Sequence, residues 1–218
     1  MRSKSLKIHD LALSYQNDLV EVLLRYNDID FMFNKHMVQY LSVDHLKDLY
    51  GVSESIVNYL KENNIDNKQV LNIGTGIGLL ESIGKTKNYS IDCTEMKLMT
   101  VESRKLIPEL DPYWVVRNRL NSKVTYWTNS IFDNYIIYNC QRKYEYGLLV
   151  RFTALTEDCE THDDIKTVFK NLKKYVDKIL VIDNEKKIPR FLQKYKVKKL
   201  YNNYILYEFE LDNIVTQN

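Results

Sequence analysis

At 218 residues the chain is long enough for one sizeable core with an appendage and falls short of two ordinary domains. Hydrophobic residues make up 44% and charged residues 28%, the balance of a soluble globular protein, and no apolar run is long enough to span a bilayer. The 31 basic against 29 acidic residues leave a formal net charge of +2, which excludes a global field steering the chain to nucleic acid or anionic lipid. Cys93, Cys140 and Cys159 are odd in number and widely spaced, against a disulfide framework. The first ten residues, MRSKSLKIHD, lack the apolar core of a secretory signal, so the expected location is cytoplasmic.

Residues 1–65 read as a helical cap. Leu11, Leu19, Val22, Leu23 and Tyr26 fall on one helical face, and residues 27–34 interrupt the pattern. Ser42 is placed to cap a second helix that ends at Gly51 in a left-handed turn, and Ser53 to cap a third carrying Ile56, Val57 and Leu60. No proline- or glycine-rich linker follows, so the cap is expected to pack on a single core of residues 66–218.

Residues 70–95 read as strand, glycine turn, helix and second strand. Val70, Leu71 and Ile73 form an apolar run of the kind buried in a parallel sheet, and Gly74, Gly76 and Gly78 then break it. Glycines there permit a sharp turn and let a ligand approach the main chain; the plainer reading is a turn that only packs a helix on a strand. Leu79, Leu80 and Ile83 continue at helical spacing. The second strand, residues 89–94, ends at Glu95, about 20 residues after Gly74, where a carboxylate can accept both hydroxyl hydrogens of a ribose. A dinucleotide fingerprint needs glycine or alanine at position 79, which is Leu79.

Further on, a helix is expected over 96–106, with Leu98, Met99, Glu102 and Leu106 at helical spacings, and a loop with Pro108 and Pro112. A third strand, 124–127, is followed by Asn129, Ser130 and Asp133. The apolar run 146–152 reads as a central parallel strand, 165–175 as a helix, and 178–182 as a fifth strand ending at Asp183. Residues 197–201 and 204–211 alternate as two strands joined through Asn202 and Asn203, which tolerate the positive φ of a hairpin.

The strand followed by G-x-G-x-G resembles motif I of the class I S-adenosylmethionine-dependent methyltransferases, and YSIDCTE at 89–95 resembles their ribose-binding motif. The terminal hairpin, expected with no helix after it, also resembles that family. The resemblance implies an α/β fold: a doubly wound, mostly parallel seven-stranded sheet ending in an antiparallel hairpin, behind an N-terminal helical cap. It implies S-adenosylmethionine as cofactor, held by Asn72, Gly74, Thr75, Gly76, Gly78, Glu95, Met96, Asn129 and Ser130. Where the family usually carries Asp or Glu two residues before the first glycine, this chain has Asn72, which keeps an acceptor and loses the charge opposite the cofactor's amino group.

Ligands of open α/β sheets bind beyond the carboxyl ends of the strands. On the acceptor side the resulting candidates are Arg151, able to clamp a carboxylate or phosphate, and His162, able to act as base. The alternative for Arg151 is an ion pair with Glu157 or Asp158, and His9, His36 and His45 read as ordinary cap residues. Arg151-Phe152-Thr153-Ala154 lacks the Asp/Asn-Pro-Pro-aromatic tetrad of DNA amino-methyltransferases, and no proline precedes a cysteine, so nucleic acid is not the expected acceptor. Neither the acids around Cys159 and His162 nor Asp183-Asn184 beside Arg151 makes a metal site, and none is expected. The expectation is methyl transfer to a small molecule. The alternatives are a non-catalytic cofactor-binding protein and a different transfer, such as aminocarboxypropyl transfer.

Overall fold

The structure, a computed structural model, describes residue 17 and residues 42–96, 124–128, 136–137, 140, 142–152 and 161–215. Its strands are β1 (Val70–Ile73), β2 (Asp92–Met96), β3 (Val124–Thr128), β4 (Ile136–Ile137), β5 (Tyr144–Val150), β6 (Val176–Asn184), β7 (Lys196–Lys199) and β8 (Tyr204–Glu210). Its helices are α1 (Val43–Glu62), α2 (Leu79–Thr86), α3 (His162–Leu172) and α4 (Asp212–Val215), the last a single turn after the hairpin where no helix was expected, held there by the buried Ile214. The strands form one eight-stranded sheet in the order β4-β3-β2-β1-β5-β6-β8-β7. From β3 to β6 all neighbours are parallel, whereas β4, β8 and β7 pair antiparallel. Among the described residues that is one strand more than the seven expected: Ile136–Ile137 pairs with Trp127 and Thr128 at the edge and is too short to carry an alternation in sequence.

Every residue of β1 is buried because helices cover both faces of the sheet. On one face α1 and α2 pack Leu46, Ile56, Leu60, Leu80 and Ile83 against Val70, Leu148 and Leu206. On the other, Val168, Phe169 and Leu172 of α3 pack against Leu71, Ile73 and Val181. Residues 42–65 thus share a core with the sheet, while the helix expected within residues 11–26 falls, apart from residue 17, outside the described residues.

Ser42 caps α1 as expected, accepting the His45 amide at 3.4 Å. The expected break at Gly51 does not occur. The helix runs on to Glu62, and Ser53 is buried within it instead of capping a new one. A Cβ at Gly51 would lie 2.6 Å from the Tyr201 ring, so the glycine makes room for an aromatic from the β7–β8 turn. The helix-propensity loss of about 1 kcal/mol is accepted for that contact. Asn202 has φ 52, as the hairpin requires, and its amide donates to Asp48 of α1 at 2.6 Å.

Three boundaries also move. β2 starts at Asp92 and not at Tyr89, whose N–H closes α2 on the Gly84 carbonyl at 2.8 Å and whose hydroxyl donates to the Ile65 carbonyl at 2.7 Å. Burial, with Asp66 nearby, pushes the Tyr89 phenol up to about 12. β5 ends at Val150, before Arg151. α3 starts three residues earlier than expected because Thr161 and Asp164 form a reciprocal capping box. Among the described residues no helix is long and apolar enough to cross a membrane.

Candidate functional site

Strands β1, β2 and β3 step outward in one direction and β5 and β6 in the other, so the order reverses between β1 and β5. Loops leaving the carboxyl ends of such a pair diverge and leave a crevice. The glycine turn follows β1 at that point, with φ of 78, 56 and 76 at Gly74, Gly76 and Gly78, all in the region that L side chains rarely adopt. The turn is tied to β2: the N–H groups of Gly74 and Thr75 both donate to the Thr94 carbonyl, at 2.9 and 3.2 Å. Thr94 lies opposite Ile73, so Glu95, the next residue, is carried past the end of β1 beside the turn, and Met96 ends the strand.

The two acids of β2 therefore stand at different heights along the strand. Asp92 sits opposite Leu71 toward the amino end, where its carboxylate pairs with Arg142 at 2.5 Å and accepts from the Tyr144 hydroxyl at 3.0 Å.

Around the turn the polar atoms are buried. Asn72 is 2% exposed and donates its amide N–H to Glu81 Oε1 at 2.6 Å, a carboxylate that is itself 3% exposed. Asn72 Oδ1, Thr75 Oγ1 and Thr94 Oγ1 are buried without a hydrogen-bond partner. An unpaired buried polar atom costs on the order of 1–3 kcal/mol, and three of them lie on adjacent segments around the turn. Thr94 and Glu81 were not among the residues expected from sequence, because neither is part of the glycine pattern.

On the other side of the crevice Arg151 follows β5 with φ 58 and donates its N–H to the Ile182 carbonyl at 2.7 Å. Its guanidinium Nη1 lies 3.2 Å from His45 Nε2. A guanidinium only donates, so Nε2 accepts and the imidazole is neutral with its proton on Nδ1. Burial and then the Arg151 charge hold His45 below the ordinary histidine value, against an opposing pull from Asp48. Burial raises the Tyr204 phenol, with Asp183 and Asp48 adding to the rise and Arg151 opposing it. Asp183 is buried at the end of β6 and accepts the Asn184 N–H at 2.7 Å.

His45 thus corrects the sequence reading of an ordinary cap residue: it is the ring that meets Arg151, 106 positions away, a proximity with no local signal in sequence. His162 is the first residue of α3. Asn129, Ser130, Asp133, Glu157, Asp158 and Cys159 lie outside the described residues. Among the described residues no group of three or more His, Cys, Asp or Glu could hold a metal ion.

The sequence matches no protein-family model and no curated protein. Solved structures do match. The pyocyanin biosynthetic protein PhzM superposes with a TM-score of 0.51 at 9% identity, covering 80% of this chain and 56% of its own. With this topology, that similarity decides the fold. The chain has the fold of the class I S-adenosylmethionine-dependent methyltransferases. An S-adenosylmethionine-dependent methyltransferase from Clostridium acetobutylicum ATCC 824 matches with a TM-score of 0.49 at 14% identity over 84% of this chain and 86% of that one. The magnesium protoporphyrin IX methyltransferase ChlM of Synechocystis PCC 6803, solved with bound S-adenosylhomocysteine, matches with a TM-score of 0.43 at 11% identity over 84% and 88%. The chain spans a little over half the length of PhzM. Within the methyltransferase fold, the glycine turn and Arg151 occupy the two sides of the sheet's reversal point.

Proposed function

We propose that the chain binds S-adenosylmethionine in the crevice between the ends of β1 and β5 and directs its methyl group to a small-molecule acceptor. The observation that carries this reading is the set of buried, unpaired acceptors Asn72 Oδ1, Thr75 Oγ1 and Thr94 Oγ1 around three left-handed glycines. The donor set fits the cofactor. Asn72 Oδ1 can accept from an ammonium, the two threonine hydroxyls can meet its polar groups, and Glu95, next to last in β2, is the proposed acceptor for the ribose hydroxyls. Gly74, Gly76 and Gly78 let the nucleoside approach the main chain, and Met96, Asn129 and Ser130 complete the proposed contacts.

The bound sulfonium supplies an electrophilic methyl, and displacement at it demands alignment of the acceptor more than any particular base. Arg151 can exchange its His45 contact for an acceptor carboxylate or phosphate. That exchange frees the His45 Nε2 lone pair to take a proton from the acceptor. His162, at the start of α3, is a second proton acceptor for which substitution is the test.

The experiment is thermal denaturation with S-adenosylmethionine, S-adenosylhomocysteine or NADH. A ligand bound only by the folded state raises the Tm, so the first two should raise it and NADH should not. Stabilisation by NADH alone would overturn the reading of the turn. Incubation with methyl-labelled cofactor and a small-molecule extract then separates a methyltransferase, which yields labelled product, from a protein that only binds the cofactor.

A further inference from the structure

We infer that Glu81 provides the negative charge that recognises the cofactor's α-amino group, acting through Asn72; this rests on the S-adenosylmethionine reading of the glycine turn. Among the described residues the buried polar or charged side chains are Ser53, Asn72, Thr75, Glu81, Thr94 and Asp183. Only two of these are carboxylates, and Glu81 is the one on the helix that the glycine turn opens. Its helix neighbours Leu79, Leu80 and Ile83 are all core residues, and position 81 is buried on another side of the same helix. A carboxylate buried there is costly unless it is hydrogen-bonded and used.

The orientation of Asn72 shows how the charge would be used. A carboxylate can only accept, so the amide must turn its Nδ2 toward Glu81 Oε1, at 2.6 Å. The carbonyl Oδ1 is thereby turned away from Glu81 and left buried without a partner. The pair is a polarised relay: an ammonium donating to Oδ1 stands one amide away from the Glu81 charge, at roughly 6–7 Å by ordinary hydrogen-bond lengths. The charge that Asn72 lacks is thus held one side chain further back. Glu81 is a positioning residue in this arrangement, since it touches Asn72 and not the ligand.

Calorimetric titration with two ligands tests the inference: S-adenosylhomocysteine, and 5′-methylthioadenosine, which keeps the nucleoside and thioether and lacks the amino acid. Glu81→Gln is isosteric and still offers an acceptor to the Asn72 amide. It should weaken S-adenosylhomocysteine about tenfold by Coulomb attraction at that range and leave methylthioadenosine within about twofold. The swapped pair Asn72→Asp with Glu81→Gln keeps both the hydrogen bond and the charge, and should return S-adenosylhomocysteine to within about threefold of the unaltered protein.

Equal weakening of both ligands, no weakening of either, or no recovery in the swapped pair would overturn the role of Glu81. If Glu81→Gln does not fold, the swapped pair decides alone, and loss of its preference for S-adenosylhomocysteine overturns the inference. Failure of the unaltered protein to bind either ligand would instead refute the cofactor reading itself.

Discussion

At the amino end of β2 the Asp92 carboxylate is exposed and matched by both Arg142 and Tyr144, whereas two residues on, in the middle of the strand and beside the glycine turn, the Thr94 hydroxyl is buried and unmatched. The contrast extends across the sheet. Toward the amino ends, Lys143 pairs with Asp177, and Lys178 lies 3.4 Å from both Glu145 and Glu210. Such exposed pairs are worth about 0–1 kcal/mol each and ask nothing of a ligand. Around the glycine turn, Asn72 of β1, Thr94 of β2 and Thr75 of the turn itself hold buried acceptors that the folded chain leaves without a partner. The charged groups at the amino ends are matched by one another, whereas the acceptors around the turn are buried at a cost that no partner in the folded chain offsets.

The sharpest way to break this comparison is to fill the turn. Gly76→Val puts a branched side chain at φ 56, where it would strain the backbone by about 1–2 kcal/mol and occupy the ligand's approach. S-adenosylhomocysteine affinity should fall at least about a hundredfold, while far-ultraviolet circular dichroism stays close to that of the unaltered protein. Unchanged affinity would mean that the turn faces protein and that its unpaired acceptors serve no ligand.

The next effect in size contrasts the two acids of one strand. Hydrogen bonds from ribose hydroxyls to a carboxylate are worth about 1.5–3 kcal/mol each, so Glu95→Ala should weaken S-adenosylhomocysteine by at least about tenfold in calorimetric titration. Asp92→Ala removes the exposed pair with Arg142 and the Tyr144 hydrogen bond, both at the amino end of the strand, and should leave affinity within about twofold. The reverse order of effects would place the ligand at the wrong end of β2.

The smallest effect is a pH dependence at His45. Its folded-state value is lowered, so below about pH 6.5 the unfolded chain binds the proton more readily than the folded one. The neutral-ring contribution is complete above that pH and is lost as pH falls through the window beneath it. The groups acting on the ring are Arg151 on the β5 side and Asp48 on its own helix. Denaturation midpoints should therefore fall between pH 7.5 and 5.5, and His45→Gln should make the fall shallower. An equal fall in both proteins would remove His45 from the acceptor-side cluster.

Much of the ligand-facing end is written locally. The apolar run of β1, the three glycines and Leu79, Leu80 and Ile83 are consecutive, and each residue type has a conformational reason to be where it is. The acid at the end of β2 followed from spacing, because a helix and its return loop have a minimum length. The hairpin was equally readable, since Asn202 and Asn203 stand between two alternating runs.

Sequence by itself therefore determined the alternation of strands and helices along most of the described residues and the glycine turn after β1. Only the tertiary structure decided the rest. Gly51 looks like a helix end until Tyr201 is laid against it, Asn72 looks like a lost charge until Glu81 is packed behind it, and His45 looks ordinary until Arg151 arrives from β5. The physical reason is common to all three. Backbone preference acts between near neighbours in the chain, whereas steric room, hydrogen-bond direction and a shifted pKa are set by whichever atoms packing brings within a few ångströms.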